Sequence, residues 1–166
     1  LKQPITIGNR QSGGIFIRLF NYSNAFAPAG KTVVQASAET DWEFWENLYK
    51  TDRARYDVAK ADVADEMLRR LEPHLPGISD KVEVTDVATP YTLWRYTRNH
   101  RGSFEGWLPT KEAIMTPIPR TLPGLKDFYM AGQWVMPGGG VPPCLISGRD
   151  AVRILCAREQ RQFTLS

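Results

Sequence analysis

A chain of 166 residues, 42% hydrophobic and 23% charged, has the size and apolar content for one ordinary core, which argues against a disordered or low-complexity polypeptide. Its net charge of +3, from 21 basic and 18 acidic residues, is dispersed, and the densest basic cluster (Arg95, Arg98, His100, Arg101) is too short for the basic run of a nucleic-acid binder. No stretch approaches the roughly 18 consecutive apolar residues of a membrane span, and no signal peptide is visible.

In chain order, Ile5-Thr6-Ile7 reads as a short strand and Ile15–Phe20, after Gly13-Gly14, as a longer one that is apolar, β-branched and aromatic. A loop carrying Ala27-Pro28-Ala29-Gly30 leads to a further strand over Lys31–Ala38, placed to pair antiparallel with the one before it. Thr40 and Asp41 are N-cap candidates, with Glu43 completing a capping box from Thr40. Trp42, Trp45, Leu48 and Tyr49 then mark one helical face. A second helix over Asp52–Leu71 carries Tyr56, Ala59, Val63, Met67, Leu68 and Leu71 at the same spacing, and Leu75-Pro76-Gly77 stops it. These helices are expected to cover the sheet.

Lys81–Val87 alternates polar and apolar residues, which predicts a half-buried strand. Thr89 caps a short helix that opens at Pro90 and runs over Tyr91–Arg98. Residues 99–125, rich in Gly and Pro, read as a long irregular connection of the kind that is usually functional or braced by a ligand. Phe128–Ala131 is expected to be a short buried strand ending at Gly132. A final helix over Val141–Arg158 would bury Leu145, Val152, Leu155 and Cys156, with Gly148 allowing close packing; the tail Gln160–Ser166 is expected to fray. Cys144 and Cys156 would stand on this helix 12 residues apart, or roughly 18 Å. That is too far for a disulfide and suits a reducing, cytoplasmic setting.

The chemistry lies between the last strand and the last helix. Pro137-Gly138-Gly139-Gly140-Val141-Pro142 places three glycines at a helix N-terminus, where the backbone N–H groups and the positive end of the dipole face an incoming ligand. Glycines admit a close approach to the backbone, and Pro142 fits the first helical turn. This pattern suits a phosphate or an electron-rich heteroatom group, and it also serves simply to join a strand to a helix.

Phe128-Tyr129-Met130-Ala131-Gly132-Gln133-Trp134, then Pro137 to Pro142, then Ile146-Ser147-Gly148-Arg149, resembles the C-terminal signature of the phytoene desaturase family. That family includes carotenoid desaturases, carotenoid isomerases and retinol saturases, within the amine-oxidase-like flavoproteins. Ala27 to Gly30, Leu75 to Gly77, Val87 to Pro90, Arg95 to Thr97 and Arg101-Gly102 follow in the family's order, so the likeness covers about residues 15–156.

The resemblance implies an α+β fold. Residues 1–125 would be part of a substrate domain, a partial antiparallel sheet with covering helices. Residues 126–166 would be the last strand and helix of a Rossmann-like FAD-binding domain. It implies FAD as cofactor, with Gly132 and Gln133 near the pyrophosphate and ribityl chain, Gly139, Gly140 and Val141 presenting backbone N–H groups to the flavin ring, and Gly138 also among the cofactor-binding residues. In the complete oxidoreductase the flavin would exchange a hydride with an apolar, polyene-like carotenoid or retinoid. It assigns no catalytic acid or base.

The family's opening G-x-G-x-x-G fingerprint is absent, since the early pair Gly13-Gly14 precedes no helix. With Leu1 rather than Met in first place, the expectation is a C-terminal part of a larger enzyme. Its partner would be the N-terminal FAD-binding half, and it would be inactive and weak or empty of flavin when alone. Dimerisation through an exposed apolar face, and a peripheral position at a membrane, stay open. So do two rivals: an amine-oxidase-like flavoenzyme on another small substrate, and a non-catalytic binding module retaining half the enzyme fold.

Other residues carry simpler accounts. Arg98 and Arg101 could steer an anion, but read more simply as a surface or salt-bridged pair. His74 and His100 have no partner at metal-ligand spacing, so no metal site is expected. Trp94, Trp107 and Trp134 suit a tunnel or a core equally. Ser147 lies outside any G-x-S-x-G elbow and is assigned to helix packing.

Overall fold

The computed structural model describes residues 4–164, and the chain divides into two compact units, residues 1–103 and 104–166. The irregular segment 104–125 thus falls in the same unit as the glycine turn and the last helix.

In the first unit, β1 (Ile5–Ile7) and β2 (Arg10–Ser12) form an antiparallel hairpin with Ile7 opposite Arg10. The two-residue loop Gly8-Asn9 has positive φ at Gly8 alone, the pattern of a type II′ turn. A Cβ at Gly8 would also stand 2.6 Å from Asp41 Oδ2. The strand β2 has no hydrophobic signature and is not legible from the sequence. β3 (Phe16–Leu19) and β4 (Val34–Ser37) form a second antiparallel ribbon, Phe16 opposite Ser37 and Leu19 opposite Val34, as the paired strand patterns predict. Among the described residues the expected partial sheet is therefore two separate two-stranded ribbons.

Three helices cover the first hairpin: α1 (Trp42–Thr51), α2 (Arg53–Leu71) and α3 (Pro90–Thr97). Ile5, Ile7, Trp45, Leu48, Tyr56, Met67 and Tyr91 make the core, with Trp42, Tyr49, Val63 and Trp94 packed around it. Tyr49 stacks on Tyr91 with ring centroids 4.0 Å apart, and Trp45 meets Tyr56 edge-on at 5.6 Å. Each such pair is worth about 1 kcal/mol beyond its buried area.

Local polar chemistry sets the helix ends. The Thr40–Glu43 capping box does not form. Asp41 caps α1 instead, its carboxylate accepting from Phe44 N–H at 2.8 Å and from Asn9 N–H at 2.9 Å. Thr40 is drawn inward: its hydroxyl donates to the Ile7 carbonyl at 3.1 Å and accepts from the buried Trp45 indole at 2.9 Å. A satisfied indole is the condition for burying that ring. Asp52 caps α2, and Thr89 and Thr92 form a capping box at α3.

The expected strand Lys81–Val87 is not one. Residues 79–81 form a single 3-10 turn, 82–88 have no regular structure, and Val84 is 86% exposed. Alternation makes a strand only where a neighbouring strand and a core face exist. Arg101 pairs with Glu43 and Arg98 lies 4.3 Å over the Trp94 ring, so both have intramolecular partners.

The second unit holds α4 (Lys111–Met115), a short helix inside the expected irregular connection, and α5 (Val141–Arg158). The face of α5 expected to be buried is open: Leu145 is 68% exposed, and Val152 and Leu155 are exposed as well. Nothing lies within 4 Å of a Cβ built on Gly148, so that glycine serves no close packing here. Cys144 and Cys156 stand partly exposed on α5. In the tail, Arg161 N–H still bonds the Cys156 carbonyl at 2.8 Å, while 165 and 166 lie outside the described residues. Among the described residues no helix is long and apolar enough to cross a membrane.

Candidate functional site

The segment leading into the glycine turn is not the expected buried strand. Residues 128–131 have no strand partner among the described residues, and Phe128 is exposed. One ladder-like bond remains, Met130 N–H to the Arg120 carbonyl at 2.7 Å. An extended segment without flanking strands cannot bury its backbone groups and is not a strand, whatever its side chains.

The glycines then do two different jobs. Gly132, Gly138, Gly139 and Gly140 all have positive φ, at 116°, 103°, 59° and 79°, where side chains are strained. A Cβ on Gly132 would meet nothing within 4 Å, and one on Gly138 or Gly140 only a single atom at 3.9 or 3.8 Å. Gly139 is different. A Cβ there would stand 2.6 Å from Glu105 Cβ and 2.8 Å from Gly106 N. Gly139 is thus closed in by the chain itself, while Gly132 and Gly140 border open space.

Residues 105–107 clasp the turn. A Cβ on Gly106 would sit 2.1 Å from the Gln133 carbonyl oxygen. Gly138 N–H donates to the Trp107 carbonyl at 3.1 Å, and the Trp107 indole donates to the Trp134 carbonyl at 2.8 Å. The two indoles meet edge-to-face at 5.3 Å. Arg120 adds a hydrogen bond from its guanidinium to the Val135 carbonyl and lies 3.9 Å from the Asp150 carboxylate. Trp107 and Trp134 therefore brace the turn, while Trp94 belongs to the aromatic core of the first unit.

Gly140 is the N-cap of α5 and makes no side-chain cap. Pro142 and Pro143 carry no N–H, so of the first three helical residues only Val141 offers a donor. Ser147 is fully buried, and its hydroxyl accepts from Gly132 N–H at 2.8 Å.

The structure thus brings the two halves of the sequence-predicted set, Gly132-Gln133 and Gly138 to Val141, onto one braced turn. Glu105, Gly106 and Arg120, and the bracing role of Trp107, are what sequence reading missed. The Gly-Trp pair inside a Gly/Pro-rich connection is the one signal that could have marked them. Carboxylates held below their usual range sit elsewhere: Glu46 through Lys50, and Glu66 through Arg70 and then Arg69. Two open clefts of about 480 and 310 Å³ flank α2, and neither includes a candidate residue. Among the described residues no group of three or more His, Cys, Asp or Glu side chains could hold a metal ion.

No family model and no solved structure matches the chain. Curated proteins do. The chloroplastic prolycopene isomerases 1 and 2 of an Oncidium hybrid cultivar are each 30% identical over 148 residues, 87% of this chain and 24% of theirs. Hydroxyneurosporene desaturase of Rhodobacter capsulatus is 39% identical over 77 residues, 45% of this chain and 15% of its own. A 4,4'-diaponeurosporene oxygenase of Staphylococcus aureus is 28% identical over 103 residues, 61% of this chain and 21% of its own. The chain spans about a quarter of the length of the first of these relatives. The chain is thus similar, over part of their length, to proteins named as a prolycopene isomerase, a hydroxyneurosporene desaturase and a 4,4'-diaponeurosporene oxygenase.

Proposed function

We propose that this chain is one part of an FAD-dependent enzyme acting on an apolar, polyene-like carotenoid, and that residues 132–141 form the wall of the flavin site nearest the ring. The supporting observation is the braced turn itself: Gly132 and Gly140 hold conformations reserved for glycine, with space where a Cβ would stand. A larger residue at either position would fill that space.

The donor set favours a ring edge over a phosphate. A phosphate at a helix N-terminus uses several N–H groups of the first turn. Pro142 and Pro143 remove two of them here, leaving Val141 with Gly139 and Gly140. Such a set suits a few carbonyl or ring-nitrogen acceptors. When bound, FAD would supply the hydride chemistry. The chain's own part is to orient the ring, and to place the positive end of α5 near charge that develops on it. The exposed stripe Val141, Leu145, Val152 and Leu155 is the surface we assign to the rest of the enzyme.

Three measurements test this. An in-frame G-x-G-x-x-G fingerprint upstream of Leu1 is expected in the gene, and a start codon at or just before Leu1 would speak for a separate binding module. Titration of FAD into the isolated chain should show weak or no binding. The complete polypeptide should purify with flavin and lose it on Gly140→Val. Stoichiometric flavin on the isolated chain, or a complete Gly140→Val enzyme that keeps its flavin, would sink the reading.

A further inference from the structure

We propose that Ser147 is a positioning residue for the flavin-facing turn, tying Gly132 to the start of α5 so that residues 132–141 hold one geometry; this rests on the flavin reading above. Three observations carry it. The side chain is fully buried although it is polar and sits mid-helix. Its oxygen lies 2.8 Å from Gly132 N, and also 2.8 Å from the Cys144 carbonyl and 3.4 Å from the Gly132 carbonyl. Gly132, with φ 116°, belongs to no regular ladder that could take its N–H.

A hydroxyl has one proton and two lone pairs. Gly132 N–H can only donate, so the serine oxygen accepts from it, and the serine proton goes to the nearer carbonyl, that of Cys144. One side chain therefore links the entry to the turn with the first turn of α5. Gly132 in turn accepts from Val135 N–H at 3.3 Å, so residues 132–135 are held by the same tie. Packing alone does not require this chemistry. Alanine would fill nearly the same space, yet it would take from Gly132 N–H the acceptor that it has in this part-buried position.

The consequence is functional. In the proposed site, residues 132–133 and residues 139–141 contact different parts of one rigid cofactor. Their relative placement decides how squarely the N–H groups of the second set meet the ring, and Ser147 is the direct hydrogen-bonded link from Gly132 to the helix that carries the second set.

The test compares Ser147→Ala with Arg153→Gln, a change on the same helix whose side chain lies over Phe163 and not on the turn. In the isolated chain, Ser147→Ala should speed amide hydrogen exchange at Gly132 about tenfold or more, with α2 unaffected. In the complete flavin-loaded enzyme it should weaken FAD about tenfold and shift both the visible flavin band and the reduction potential, while Arg153→Gln moves neither. Should Ser147→Ala not fold, Ser147→Cys, similar in shape but a poor acceptor, gives the same readouts. Unchanged exchange at Gly132, or an unchanged flavin band in a flavin-loaded variant, overturns the proposal alone. A complete wild-type enzyme without flavin overturns the flavin reading and this proposal with it.

Discussion

Gly106 lies against Gln133 so closely that a Cβ on the glycine would stand 2.1 Å from the glutamine's carbonyl oxygen. The obstacle is backbone, which cannot swing aside. Gly106→Ala should therefore destabilise the second unit by about 1–3 kcal/mol, as overpacking does. Gly124→Ala meets nothing within 4 Å and is strained only by its positive φ. Urea midpoints for the two variants check this, and equal losses would show that the 105–107 clasp is not rigid.

Gly148 is the opposite case, a mid-helix glycine with no atom near its missing Cβ. Gly148→Ala should raise the stability of the chain by about 0.5–1 kcal/mol, read as a higher thermal midpoint. A loss would mean that α5 packs a close neighbour at this position after all.

Tyr56 and Thr89 share a buried hydrogen bond of 2.7 Å between α2 and the cap of α3, with Thr92 a further 3.3 Å partner of the tyrosine. Tyr56→Phe keeps the ring in the core but removes this link, at a cost of about 1–2 kcal/mol. A double-mutant cycle with Thr89→Ala should show coupling, because both changes delete one bond. Additive losses would count against it.

These cases show where sequence reading works. Helices α2, α3 and α5 were legible because periodicity and caps are local: Asp52, Thr89 and the Gly140-Val141-Pro142 junction stand at their starts. The glycine turn was legible because four left-handed positions demand glycine. What failed is non-local. Lys81–Val87 and Phe128–Ala131 have strand-like composition, but strands need partners, and none flank them among the described residues. Glu105, Gly106 and Arg120 reach the turn from 15 to 34 residues away, at distances no spacing rule covers. Thr40 lost the cap to Asp41 because the buried indole of Trp45 claimed its hydroxyl.

Glu72 makes stability depend on acid. Its carboxylate closes α2 by accepting from the Ser79 hydroxyl at 2.7 Å and from the N–H groups of Gly77 at 2.5 Å and Ser79 at 3.2 Å. The Ser79 hydroxyl first, then the backbone donors, hold its pKa below the usual carboxylate value. A group whose folded pKa is depressed stabilises the fold above its unfolded pKa, about 4.3, and loses that contribution as pH falls through the folded value. Glu72→Gln should therefore be less stable than wild type at neutral pH, with the gap narrowing below about pH 4 as the wild-type carboxylate takes up its proton. Glu66, lowered by Arg70 and Arg69, has the same sign, so some acid sensitivity should remain in the variant. Urea midpoints from neutral pH to about pH 3 measure the gap. A gap that stays constant or widens toward acid would show that Glu72 is not clamping the turn as a carboxylate.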